Sequence, residues 1–180
     1  LRVIEASECA QAKAAGVRVL LLGNSMLFVS NTGSMLKPML EHAKPEWKDA
    51  FVVQAAYPAY RLSQHAQDMK RGRADGSHVL FGLKKTCQVS WDAVVLHEQS
   101  QIPGFAPNHP ERIESSQGAK ALLQTIQELG AKPMVMMTWG YVLGDARNAS
   151  MFPDFLTMNK RLEQGYRAMA NAVEPPAKIA

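Results

Sequence analysis

Val17-Arg18-Val19-Leu20-Leu21-Leu22-Gly23-Asn24-Ser25 decides how this chain reads. The apolar run at 17–22 has the composition of a strand buried on both faces, and Gly23 permits a sharp turn that lifts Ser25 out of the sheet edge. A hydroxyl presented at a strand's tip is a candidate nucleophile. The plain alternative is a strand followed by an ordinary capping serine.

Three further apolar runs, at 50–55, 93–96 and 133–138, alternate with segments of helical spacing. Continuous apolar strands joined by crossover helices predict a parallel sheet, so the expected fold is α/β: a three-layer αβα sandwich with a flavodoxin-like sheet. Met35, Leu36, Met39 and Leu40 follow the turn Asn31-Thr32-Gly33-Ser34 and predict the first crossover helix, its methionines packed in the core. Leu62, His65, Ala66 and Met69 predict a second helix, which the segment 72–76 breaks. The clearest helix spans 113–129 and ends before Gly130 and Pro133; another, 153–173, aligns Phe155, Met158, Leu162, Tyr166, Met169 and Val173 on one face. Ala177-Lys178-Ile179-Ala180 reads as the opening of a fifth strand, so the last strand and helix are expected to be cut short.

A chain of 180 residues, 47% hydrophobic and without a shift in composition, reads as a single domain over residues 1–180. Its net charge of +4 is modest, and its basic stretches, Lys70-Arg71-Gly72-Arg73 and Lys84-Lys85, carry no interleaved aromatics. No nucleic-acid partner is expected. Arg18 and Asn24 interrupt the strongest apolar run, so no membrane span is expected either. Cys9 and Cys87 pair only if the fold joins them, which leaves the redox compartment open. The chain opens on Leu1 rather than methionine, as it would after removal of a leader, and no localisation follows from that. Without an HExxH, a CxxC pair or a tight His/Asp cluster, neither a metal nor another cofactor is expected.

In an open α/β sheet the binding crevice lies beyond the carboxyl ends of the strands. The residues delivered there are Asn24 and Ser25, then Tyr57-Pro58-Ala59-Tyr60, then His97-Glu98-Gln99-Ser100-Gln101, then Trp139-Gly140-Tyr141. A serine, a side-chain amide and backbone N–H groups at one rim are the parts of an acyl-transfer site.

With its blocks Gly23-Asn24-Ser25 and Leu96-His97-Glu98-Gln99-Ser100 in this order, the chain resembles the SGNH (GDSL-like) hydrolases from about Val17 onward. The resemblance implies an esterase-type hydrolase with Ser25 as nucleophile and an oxyanion hole made by the Ser25 N–H, the Ala59 N–H and the Gln99 carboxamide. The second block, Pro58-Ala59-Tyr60-Arg61-Leu62 with His65, replaces both glycines of a GGxSLxxH-like segment, and Pro58 has no N–H to give. The family takes its general base from a closing DxxH block; none follows Val173, so the resemblance implies a partial chain whose base lies beyond Ala180.

Among the five histidines, His42 and His78 read as surface or turn residues and His65 as a hydrogen-bonded, partly buried ring, which leaves His97 and His109 as the rival bases. Asn24, Tyr60, His97, Glu98 and Trp139 are candidate substrate contacts, with Glu98 either a site carboxylate or an ion-paired group beside the sheet. Tyr57, Tyr60, Trp139 and Tyr141 are expected at one rim. The expected partner is a small-molecule or carbohydrate ester, with carbohydrate O-acetyl groups as one substrate class. The alternative is a non-catalytic carbohydrate-binding or interaction domain on the same fold. A phosphate or flavin loop at 30–34 is disfavoured because it does not follow its strand directly.

Overall fold

β1 (Arg18–Asn24) is an interior strand of the sheet, as its uninterrupted apolar run requires: every residue from Val19 to Asn24 is buried. The computed structural model describes residues 2–180 and surrounds β1 with β2 (Phe51–Tyr57), β3 (Ala93–Leu96), β4 (Lys132–Val135) and β5 (Lys178–Ile179). All pairings are parallel in the order β2-β1-β3-β4-β5, which is the flavodoxin-like arrangement. Strand order reverses at β1/β3, and there the loops after the two strands diverge and leave a crevice.

Among the described residues seven helices flank the sheet: α1 (Cys9–Ala14), α2 (Ser25–Val29), α3 (Thr32–Ala43), α4 (Leu62–Arg71), α5 (Val79–Cys87), α6 (Pro110–Glu128) and α7 (Phe155–Ala170). α1, α4, α5, α6 and α7 pack on the face carrying Leu20, Leu22, Val53, Val94 and Leu96, and form the larger core. α2 and α3 cover the other face against Val19, Leu21, Ala56 and Val95. α4 and α6 approach so closely that a Cβ on Gly118 would lie 2.6 Å from Ser63 Cα.

Several expectations are corrected. Met35 and Met39 are 60% and 64% exposed, because α3 turns Gly33, Leu36 and Leu40 inward and those methionines lie around the helix from that stripe. Phe155, at the first turn of α7, is also exposed, whereas the rest of its stripe is buried. β4 leaves the ladder after Val135, three residues short of the expected end. α1, α2 and α5 were not anticipated. α5 follows the glycine-rich break and contains Gly82, a poor helix former, yet buries Val79, Leu80, Leu83 and Cys87.

His78 is buried rather than superficial: it caps α5, its Nδ1 accepting from the Leu80 N–H at 3.2 Å. Burial, with a contribution from His65, lowers its pKa to about 4. His97 directly follows β3, is 1% exposed and has no hydrogen-bond partner on either ring nitrogen. Burial lowers its pKa from 6.5 to about 4.

Cys9 and Cys87 form a disulfide across 78 residues of sequence, with Cα atoms 4.9 Å apart, and tie α1 to the end of α5. Closing a loop of this length removes unfolded-chain entropy worth about 4.5 kcal/mol in the chain-entropy limit, and such bonds persist in oxidising surroundings.

Cys9→Ser should lower unfolding free energy by about 2–4 kcal/mol in urea titrations, and reductant should produce the same loss in the wild type. Because the fold depresses the His97 pKa, its stabilisation is complete above pH 6.5 and is lost as pH falls toward about 4, about 3 kcal/mol in all. His65 and His78, also buried and depressed, add to the same acid limb, so His97→Leu should reduce its slope without abolishing it, and an unaltered slope would show that the acid sensitivity arises elsewhere.

Candidate active site

The tip of β1 is held by side chains bonding to backbone. Asn24, fully buried, accepts from the Met26 N–H through Oδ1 and donates through Nδ2 to the His97 carbonyl, each at 3.2 Å. It thereby caps α2, joins β1 to β3 and places Ser25 as the first residue of α2. The Asn24 amide is thus an anchor, and Asn24 also lines the cavity that Ser25 and Gln99 share. Gly23 serves a different need from the turn expected of it. Its φ is not positive, and a Cβ there would sit 2.6 Å from Leu27 Cδ1 and 3.0 Å from His97 Cβ. On the other side, the His65 Nε2–H donates to the Gly23 carbonyl at 2.8 Å, the hydrogen-bonded buried ring anticipated for this helix. Burial is the main cause of its lowered pKa.

Glu98 organises the tip of β3 from inside. It is 0% exposed and, among the described residues, forms no ion pair; its oxygens accept from the Leu62 N–H at 3.2 Å, the Gln99 N–H at 2.6 Å and the Ser115 hydroxyl. Burial raises its pKa despite those donors. Glu98 is therefore neither a substrate contact nor an ion-pair partner beside the sheet: its bonds are spent fixing α4, α6 and the Gln99 backbone.

Ser25 and Gln99 line one cavity of about 520 Å³ at the β1/β3 switch point. Neither the Ser25 hydroxyl nor the Gln99 carboxamide hydrogen-bonds to another described side chain, so both are available to a ligand. Tyr141, Asp145 and Arg147 complete the polar wall with Ser100 and Gln101. The Tyr141 hydroxyl bonds to the Ser100 hydroxyl, and Thr138 Oγ1 donates to the Ser100 carbonyl at 3.1 Å, joining the loops after β3 and β4. Asp145, 7% exposed, accepts from the Arg147 N–H at 3.0 Å and Asn148 Nδ2 at 2.7 Å.

Sequence reasoning missed Asp145 and Arg147. The available signal was the long aperiodic connection at 136–154, since a loop of that length beyond a strand's carboxyl end is commonly a binding loop.

Other expected site residues fall elsewhere. Ala59 is exposed, outside the cavity, and left-handed at φ +56, a conformation suited to the glycine it replaces. Tyr60 stacks edge-on against Tyr57 and His65, bonds to Asp68 and does not line the Ser25 cavity. The four rim aromatics thus separate into a Tyr57–Tyr60 pair at the end of β2 and Trp139 with Tyr141 beyond β4. Trp139, 60% exposed, borders two shallower depressions; Ser25 lines one and His97 the other. His109 packs on the Phe105 ring at 4.3 Å and lines none of these spaces. No described histidine is hydrogen-bonded to Ser25. Among the described residues no group of His, Cys, Asp and Glu has the arrangement of a metal site.

No protein-family profile matches the sequence, and no curated protein matches it. Solved structures do match. A protein described as a candidate SGNH hydrolase from Slackia heliotrinireducens is 24% identical with a TM-score of 0.63, over 86% of this chain and 74% of its own. The esterase AlinE4 is 14% identical with a TM-score of 0.59, over 91% and 75%. The acetylxylan esterase Axe2 of Geobacillus stearothermophilus is 14% identical with a TM-score of 0.55, over 89% and 73%. Parallel strand order, crevice position and these superpositions agree: the chain has the SGNH-hydrolase fold.

Proposed function

We propose that the chain carries the acyl-transfer site of an esterase-type hydrolase. The observation that supports this most is the meeting of Ser25 and the unpartnered Gln99 carboxamide in one polar cavity beyond β1 and β3. In this reading Ser25 Oγ attacks the ester carbonyl, and the developing oxyanion takes hydrogen bonds from Gln99 Nε2 and the Ser25 N–H. Collapse of the tetrahedral intermediate expels the alcohol, which takes up a proton, and water then releases the acid from the acyl-serine.

None of the described histidines is assigned as the base that takes the Ser25 proton. Tyr141, Gln101, Asp145 and Arg147 suit a hydroxyl-rich alcohol portion, consistent with the acetylxylan esterases among the structural neighbours.

A second reading, a carbohydrate-binding domain on this fold, draws support from the lack of a base bonded to Ser25 among the described residues. Turnover separates the two. With 4-nitrophenyl acetate, Ser25→Ala should lower kcat/KM at least ~10³-fold and Gln99→Ala ~10²–10³-fold, with correct folding checked by circular dichroism. Turnover by Ser25→Ala equal to the wild type would remove the serine from the mechanism. Glycan binding without any turnover would favour the second reading.

A further inference from the structure

Ser25 stands between two unlike spaces. One is the polar cavity of Asp145 and Arg147. Ser25 and Met26, which line that cavity, also line with Val29, Ser30 and Trp139 a shallow depression of about 280 Å³. This depression leads into a second one of about 270 Å³, walled by Met35, Met39, Met136 and His97, and Met26, Ser30 and Trp139 border both. The two form one trough that begins at the serine.

We propose that this trough is the acyl subsite and that it takes a medium-length aliphatic acyl chain, with the alcohol portion of the ester in the polar cavity; the proposal rests on Ser25 being the nucleophile. Val29 is 80% exposed, Met35 60%, Met39 64% and Trp139 60%. Large apolar side chains left in water and gathered along one channel mark a place where apolar surface is covered by a ligand. Unbranched thioether side chains adapt to a flexible chain without demanding one shape. His97, the imidazole in the wall, is uncharged at neutral pH because burial holds its pKa near 4. The polar cavity is unsuited to hydrocarbon: a chain placed there would strip water from Asp145 and Arg147 and offer them no hydrogen bonds.

Each methylene sheltered from water is worth about fourfold in affinity, so chain length is the direct readout. With 4-nitrophenyl acetate, butyrate and octanoate, wild-type kcat/KM should rise along the series, with an octanoate-to-acetate ratio of at least ~10. Met39→Asp, an exposed position whose replacement leaves the core untouched, should cut that ratio at least ~5-fold by placing a carboxylate in the trough. A ratio of one or less in the wild type, or the same ratio in Met39→Asp, overturns the proposal. Octanoate binding, followed by tryptophan emission with Trp139→Phe as the control that loses the response, forms the second arm. If no ester is turned over, or Ser25→Ala matches the wild type, the esterase reading fails and this arm decides. Binding weakened at least ~5-fold by Met39→Asp then upholds the trough, and absence of binding, or binding unaffected by Met39→Asp, removes it.

Discussion

The Asn24 carboxamide is the constraint on which the site depends. Its two hydrogen bonds, to the Met26 N–H and the His97 carbonyl, are made in full burial and clamp the end of β1 to the end of β3 at the point where strand order reverses. A buried hydrogen bond contributes only about 1 kcal/mol net, but leaving such a group unpaired costs about 1–3 kcal/mol, so the arrangement is specified more by the penalty of breaking it than by its strength. His65 on the Gly23 carbonyl and Glu98 on the Leu62 and Gln99 N–H groups repeat the device on either side. All three anchors bond side chain to backbone, and together they set where Ser25 and Gln99 point.

These anchors are polar groups held in an apolar interior, and the fold accommodates them by suppressing charge. His65, His78 and His97 are driven toward the neutral form by burial, and Glu98 toward its protonated form. The charged residues that line the cavity are Asp145 and Arg147, on the loop after β4. The serine therefore lies on a boundary between a polar surface built by loops and an apolar one built by α2, α3 and Trp139.

Much of the architecture was legible along the chain because its physics is local. Four strands declare themselves by apolar runs, most plainly β1 and β3 with their buried Val and Leu, and α4, α6 and α7 by three-and-four spacing. What escaped was set by contacts distant in sequence. α5 forms despite Gly82 because the larger core takes up its apolar side chains, and a disulfide secures its last residue to α1. Met35 and Met39 have the composition of a core stripe, yet they face solvent because Leu36 and Leu40 take the sheet side of α3. His78 and Glu98 illustrate the same limit: a polar residue gives no sign in sequence of whether backbone donors await it inside.

Sequence alone determined the strand–helix alternation, the parallel sheet and the delivery of Ser25 and Gln99 to strand ends, since periodicity and strand polarity are properties of neighbouring residues. Tertiary structure alone decided that Ser25 and Gln99 share a cavity, that Ala59, Tyr60 and Glu98 stay out of it, and that Asp145 and Arg147 enter it. The reason is that a cavity belongs to no single segment: its walls come from loops after different strands, and their relative placement is settled by packing and by buried hydrogen bonds across the sheet.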